Sequence, residues 1–354
     1  MKLFEPLQLG SLTIPNRMIM APLTRTRAGV EHMPNALMAE YYAQRASAGL
    51  IISECTMILP NTSAFIAEPG IYSDEQVAAW KQVTQAVHAK GGKIFLQIWH
   101  AGRAAHPNMC NGQQPISASA IAIEGDTHTP QGKADYVIPR AVQVDEIPSL
   151  VKAFVHAARN AIHAGFDGVE VHGANGYLID QFLRDGSNKR TDNYGGSVEN
   201  RARFLFEVLN AVSAEIGSER VGLRLSLLNS YNSMMDSNPV ILANFLAEQL
   251  NAFNLAYVHI MRADFFAAQT GDVLTPFHAK YQGTIIANMG YSAEEAEQAI
   301  QAGKVDAVAF GTGFLANPDL PERIRVGAAW NAPNPKTFYT PGAEGYTDYP
   351  FLAD

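Results

Sequence analysis

Eight short β-rich runs, at about 17–23, 50–58, 93–99, 168–172, 221–226, 256–261, 283–288 and 306–311, alternate along the chain with amphipathic helical stretches. Strands separated by helices cannot pair as tight hairpins, so the connections must cross over and the sheet must be parallel. Eight such units predict a closed (β/α)8 barrel, a fold that accommodates 354 residues as one domain and places its chemistry on the loops after the strands.

Helix signals fall where that plan needs them. Ser73 and Gln76 make a capping box for a helix burying Val77, Trp80, Val83 and Val87, and Gly91 stops it. Ser292 and Glu295 repeat the device, with Gly303 as the stop. Phe204, Leu205, Val208, Val212 and Ile216 line one face of another helix, and Asn317, Pro318 and Asp319 supply an N-cap, a first-turn proline and an acid for the last one. Two segments depart from the repeat. The stretch 104–144, rich in Pro, Gly, Ser and Thr, is too long for an ordinary βα loop and reads as a capping segment inserted into a single 1–354 domain. The tail 331–354, with Tyr339, Tyr346 and Tyr349 among its prolines, is too aromatic for disordered filler and is expected to fold back on the barrel.

A net charge of −8 without any Lys/Arg cluster excludes a nucleic-acid footprint, leaving a small or neutral partner. Met1–Pro6 lacks the apolar core of a signal peptide and no stretch is long and apolar enough to span a membrane, so the expectation is a cytoplasmic protein that does not use the membrane. Cys55 and Cys110 are too few for a disulfide framework or an iron–sulfur cluster.

The strand ends carry the chemistry. Thr24 follows the first run and Cys55 lies near the end of the second, while Gln97, Trp99 and His100 end the third. His172, Asn175 and Tyr177 follow the fourth, Arg224 lies in the fifth, Arg262 follows the sixth, and Asn288-Met289-Gly290 and Gly311-Thr312-Gly313 follow the last two. Two neutral donors and a phenol at one strand mouth suit a site that polarises a carbonyl or nitro oxygen and then delivers a proton. An amide, a guanidinium and a hydroxyl suit the edge of a planar polar cofactor, and backbone N–H groups at the last two strand ends suit a phosphate. Plainer readings stand beside these: His172 as a packing residue, Asn175 and Gly176 as turn residues, and Gln97 and Arg224 bonded within the barrel interior.

The motifs also resemble a known family. Met20-Ala21-Pro22-Leu23-Thr24-Arg25, Gln97-Ile98-Trp99-His100-Ala101-Gly102-Arg103, Gly165-Phe166-Asp167-Gly168-Val169-Glu170-Val171-His172, Asn175-Gly176-Tyr177, Arg190-Thr191-Asp192-Asn193-Tyr194-Gly195-Gly196-Ser197 and Gly345-Tyr346-Thr347-Asp348-Tyr349-Pro350 together make the chain similar to old yellow enzymes of the bacterial N-ethylmaleimide reductase type, from Leu3 to Pro350. The resemblance implies a barrel holding FMN, reduced by NADPH or NADH, that reduces the activated C=C bonds of enones and maleimides, and also nitro compounds. Carried over residue by residue, Thr24 meets the flavin C4 carbonyl, Gln97 its pyrimidine edge and Arg224 its N1 and O2. Pro22, Leu23, Cys55, Asn288, Met289, Gly290, Gly311 and Thr312 complete the cofactor seat. His172 and Asn175 hold the substrate oxygen, hydride passes from flavin N5, and Tyr177 supplies the proton; Trp99, Tyr231 and Tyr346 shape the substrate pocket.

Departures from the family pattern touch the seat itself. Thr312 stands where relatives carry an arginine for the FMN phosphate, and Ala287-Asn288-Met289-Gly290 has fewer glycines than usual. Arg262 is an alternative source of the missing charge. Cys55 replaces a usual Ala or Gly and reads as a small filler rather than a redox group, and Ser226-Leu227 and Met261-Arg262-Ala263-Asp264 alter the substrate-side loops. Gly311-Thr312-Gly313-Phe314-Leu315-Ala316 mimics a dinucleotide fingerprint, but it closes the barrel instead of opening a βαβ unit. Two other classes remain open: a metal-dependent barrel hydrolase using His100, His172 and His259, although the first strand offers no His-x-His pair, and an idle barrel serving as a binding module.

Overall fold

The computed structural model describes residues 1–352. Eight strands form the barrel: β1 (Met18–Met20), β2 (Leu50–Ile52), β3 (Ile94–Trp99), β4 (Gly168–Gly173), β5 (Val221–Leu225), β6 (Tyr257–Met261), β7 (Ile285–Asn288) and β8 (Ala307–Phe310). Each pairs in parallel with the next, and β8 pairs with β1, so the sheet has no free edge. This is the (β/α)8 barrel expected from the alternation.

Every barrel strand is buried on both faces. The outward faces pack under helices through Trp80, Val83, Phe154, Phe204, Val208, Leu246 and Ile300. Burying such side chains contributes about 1.5–3 kcal/mol each, which sets the register of helix on strand. The floor is closed by a hairpin, Leu7–Leu9 against Leu12–Ile14, whose Leu9 and Ile14 join Ile19, Ile52, Phe95 and Tyr257 in a second core cluster. Gly10 turns that hairpin at a φ of +57°, where a Cβ would lie 1.9 Å from the Glu219 carbonyl oxygen. The hairpin escapes sequence inspection because each arm has three residues, too few for a visible alternation.

The Ser73–Gln76 capping box is present, with Gly91 at φ +77° beyond the helix. At the helix Ala293–Gln301 only half the device forms: Ser292 accepts from the Glu295 N–H, while the Glu295 carboxylate turns to Arg262 instead. Asn317 does not cap the last helix, Leu320–Val326. A five-residue helix, Thr312–Ala316, intervenes, and Asn317 ends it, donating to the Gly313 carbonyl at 2.8 Å and accepting from the Asn331 N–H at 2.6 Å; Pro321, not Pro318, is the first-turn proline.

The 104–144 stretch contains an antiparallel hairpin, Asp126–Thr129 with Gly132–Asp135, and a short parallel pair, Ile116–Ser117 with Arg140–Ala141. The tail does fold back. Arg27 donates to the carbonyls of Thr337, Phe338 and Glu344, Arg25 to those of Phe338 and Gly345, and Arg45 to that of Tyr346.

Candidate active site

The β4 exit builds the centre of the site. Alternation along β4 puts Glu170 and His172 on one face, beside Gln97 of β3 and Arg224 of β5 respectively. Past Gly173 the chain turns through Asn175 and Gly176, both left-handed at φ +57° and +73°, and the Asn175 N–H donates to Ser226 Oγ at 2.7 Å. That turn brings the Tyr177 ring to 5.1 Å from that of His172, the penultimate residue of β4.

Hydrogen bonding decides what each group offers. His172 Nδ1 accepts from the Ala174 N–H at 3.3 Å, which places the ring proton on Nε2. Burial, and then the nearby charge of Arg224, hold its pKa well below the ordinary value, so His172 is a neutral donor. Asn175 Oδ1 accepts from Asn229 Nδ2 at 2.9 Å, leaving the Asn175 Nδ2 protons to face a ligand. Tyr177 stands edge-on to Trp99 and to His172, each with ring centroids 5.1 Å apart. Burial, and then the neighbouring Tyr231, push its phenol well above the usual range, so it keeps its proton at neutral pH. Two neutral donors and a protonated acid therefore stand at the exit of one strand.

The surrounding wall is aromatic. Trp99 is fully buried behind Tyr177 and stacks on Phe65 at 6.3 Å, which in turn stacks on Tyr339 at 6.1 Å. Tyr231 packs against Phe265 and Phe266 of the loop after β6, and those two rings remain exposed. Tyr346 is placed elsewhere than the pocket wall: it is fully buried, stacked on Tyr41 at 3.9 Å and covered by the Arg25 and Arg27 guanidiniums. From the same tail it is Tyr339, stacked on Phe65, that reaches the wall near Trp99. Sequence reasoning passed over Phe65, Tyr136 and Tyr339; the aromatic density of the tail was the only signal for the last.

Below the mouth, Thr24 Oγ1 lies 2.9 Å from Cys55 Sγ. Burial raises the Cys55 thiol well above its usual pKa, so it is a protonated neighbour of Thr24 and not a thiolate nucleophile. Gln97 Nε2 donates to Glu170 Oε1 at 2.7 Å, and Arg224 Nη2 to Asn288 Oδ1 at 3.1 Å. The Asn288 amide is thus committed, with its Nδ2 on the Ala309 carbonyl, and it orients Arg224 rather than reaching toward a phosphate. Met289 and Gly290 follow at φ +94° and +68°, while Gly311 and Thr312 open the five-residue helix after β8, where Gly311 lies beside Leu23. Arg262 is occupied: it holds both Glu295 oxygens, donates to the Met289 and Gly290 carbonyls, and lies 3.7 Å over the Tyr291 ring.

Among the described residues no three His, Cys, Asp or Glu side chains converge as a metal site. His100, His172 and His259 are tied separately, by their Nδ1 atoms, to the Gly102 N–H, the Ala174 N–H and Glu170. Nothing supports the hydrolase alternative.

The NADH:flavin oxidoreductase / NADH oxidase family model matches residues 2–331. The chain belongs to this family. A protein of Leishmania infantum described as a probable flavin mononucleotide-dependent alkene reductase is 50% identical, over 99% of this chain and 97% of its own length. The solved old yellow enzyme of Trypanosoma cruzi superposes with a TM-score of 0.97 at 44% identity, covering 99% of each chain. Morphinone reductase in complex with tetrahydroNAD gives 0.95 at 47% identity, covering 99% of this chain and 98% of that one. As a member of the NADH:flavin oxidoreductase family, the protein is an FMN-dependent oxidoreductase. Its donor set fits that cofactor: Arg224 Nε is buried without a partner among the described residues, Gln97 Oε1 is left as an acceptor, and Thr24 adds a hydroxyl. Beside the left-handed Met289–Gly290 turn, Arg262 is committed to Glu295. Among the described residues no helix is long and apolar enough to cross a membrane.

Proposed function

We propose that this flavin enzyme is an ene-reductase that reduces the activated C=C bonds of enones and maleimides, and nitro compounds, at the expense of NADPH or NADH, in the cytoplasm. What supports the reading is that His172 with its Nδ1 occupied, Asn175 with its Oδ1 occupied and a protonated Tyr177 follow one another at the exit of β4, the His172 and Tyr177 rings 5.1 Å apart. FMN bound here would supply the redox chemistry, a hydride drawn from the nicotinamide for the β-carbon of the substrate. Gln97, Arg224 and Thr24 would hold its polar edge, with Pro22, Leu23 and Cys55 around it. The turns at Met289–Gly290 and Gly311–Thr312 would seat the phosphate by backbone N–H groups.

His172 and Asn175 donate to the carbonyl or nitro oxygen. Both are neutral, so they polarise the bond and leave a protonated acid nearby unopposed. Tyr177 donates its phenolic proton to the α-carbon; its high pKa keeps that proton available across the neutral range. Trp99 buttresses Tyr177, and Tyr231, Phe65, Tyr339, Phe265 and Phe266 make an apolar entrance that excludes water and selects flat or hydrophobic substrates. The 104–144 segment caps this entrance, fastened through the buried Arg103, which donates to the Ile121, Asn232 and Ser233 carbonyls.

The test is chemical. Purified protein should be yellow and release FMN on denaturation, bleach anaerobically with NADPH or NADH, and recover its colour on addition of an enone, a maleimide or a nitro compound. Bleaching without reoxidation by any of the three would refute the assignment of substrate.

A further inference from the structure

The interior of a (β/α)8 barrel is normally filled by branched apolar side chains. Here its centre holds a carboxylate. Glu170 is fully buried, and both oxygens are engaged: Oε1 accepts from Gln97 Nε2 at 2.7 Å and Oε2 faces His259 Nδ1 at 2.9 Å. Gln97 and His259 are themselves buried, as is Arg224, which sits beside His259 across the β5–β6 pair and is the cation on which Glu170 acts. Tyr257 completes the surroundings, admitted by Gly222, whose Cβ would lie 2.2 Å from that ring. Burial keeps His259 neutral. Glu170 makes no direct ion pair with Arg224; its oxygens are bonded to Gln97 and His259, and the guanidinium-bearing Arg224 lies two residues along β5 from Gly222, the register partner of Glu170, near enough to balance a buried carboxylate through space.

Two consequences follow for the neighbours. A carboxylate offers only lone pairs, so the Gln97 amide has to turn its N–H₂ toward Glu170 and leave Oε1 as the free end. That free end is an acceptor, the complement of the one ring N–H of the isoalloxazine pyrimidine. Arg224 meanwhile presents its unpartnered Nε from beside a fixed negative charge, which offsets part of its own field.

We propose that Glu170 is a positioning residue for the cofactor: it sets the polarity of the Gln97 amide and, as the counter-ion of Arg224, holds down the flavin reduction potential. This rests on the placement of Gln97 and Arg224 at the FMN edge given above. It requires no contact between Glu170 and either substrate or flavin.

The measurement is the two-electron midpoint potential of the FMN holoenzyme, read from equilibration with a reference dye. In Glu170→Gln the negative charge is gone and reduction places its charge in a more positive surrounding. The equilibrium should move at least tenfold toward reduced flavin, about 30 mV for a two-electron couple. Glu170→Asp, which keeps the charge, should stay within about threefold of wild type. A potential unmoved by Glu170→Gln, or moved equally by Glu170→Asp, overturns the proposal. Should Glu170→Gln not fold, His259→Leu removes a neutral donor from the carboxylate, leaves its charge less spread, and should shift the equilibrium about threefold or more toward oxidised flavin; no shift or the opposite one overturns the proposal. Arg224→Lys separates the two levels of argument. If it leaves FMN affinity and potential unchanged, the placement of the flavin fails, whereas a shift there with none in Glu170→Gln removes only the role given to Glu170.

Discussion

Asn229 Nδ2 donates to Asn175 Oδ1 at 2.9 Å, and that bond decides which end of the Asn175 amide meets a ligand. Asn229 is held in turn, its Oδ1 accepting from the Phe265 N–H at 3.2 Å, so the loop after β6 and the ligand-binding amide are mechanically joined. In Asn229→Ala the Asn175 amide is free to rotate, and affinity for a phenolic ligand such as p-hydroxybenzaldehyde should fall about 2- to 10-fold, the range of one neutral hydrogen bond. Asn229→Asp should be worse, because a carboxylate draws the Asn175 N–H₂ toward itself and turns an acceptor to the ligand. His172→Ala and Asn175→Ala remove a donor outright and should cost roughly 10- to 150-fold. Titration of the flavin charge-transfer band reads all four, and equal affinity for Asn229→Ala and Asn229→Asp would contradict the orienting role.

Tyr177→Phe keeps the ring that packs on Trp99 and His172 and removes only the acid. Reduction of the flavin by NADPH should persist, while enone turnover drops by roughly 10²- to 10⁴-fold. Stopped-flow measurement of the two half-reactions separates them; equal loss in both would make Tyr177 a structural or nicotinamide-binding residue.

Arg262, beside the proposed phosphate seat, is spent on Glu295, Met289 and Gly290. Thr312→Arg should therefore tighten FMN by up to about 1.5–3 kcal/mol and steepen the loss of affinity with salt. Arg262→Ala should loosen the Met289–Gly290 turn and weaken FMN severalfold with little change in salt dependence. Dissociation constants at low and high ionic strength check both, and a flattened salt slope in Arg262→Ala would mean that Arg262 pairs with the phosphate after all.

Glu54 gives a pH prediction. It is fully buried beside Cys55, accepting from the Arg25 N–H and bonded to the Tyr42 hydroxyl, and burial raises its pKa to about 7. A folded-state value above the unfolded one means that the fold favours the protonated acid. The corresponding stability is fully present below pH about 4.5 and is lost as pH rises through about 7. Relative to Glu54→Gln, wild type should lose roughly 1–3 kcal/mol between about pH 5 and 8, since each tenfold difference in proton affinity between the folded and unfolded chain is worth about 1.4 kcal/mol. Denaturant melts of both proteins across that range test it, and parallel profiles would rule it out.

The strands, their parallel order and the barrel were legible because periodicity and strand–helix alternation are local properties, and each run carried enough apolar residues to display them. The positions of Thr24, Gln97, His172, Asn175, Tyr177 and Arg224 at strand ends followed from that alternation, with the family resemblance supplying roles. What the sequence determined by itself was therefore which residues stand at the barrel mouth. Which atom several of them offer was decided only by tertiary contacts: Asn229 turns Asn175, Glu170 turns Gln97, and Glu295 holds Arg262. The same holds for Tyr346 and Tyr339, two tyrosines of one tail that composition cannot tell apart. Backbone carbonyls captured by Arg25, Arg27 and Arg45 fix the path of that tail, burying the first against Tyr41 and leaving the second beside Phe65. Hydrogen-bond polarity and aromatic placement depend on partners far away along the chain, and no local pattern encodes them.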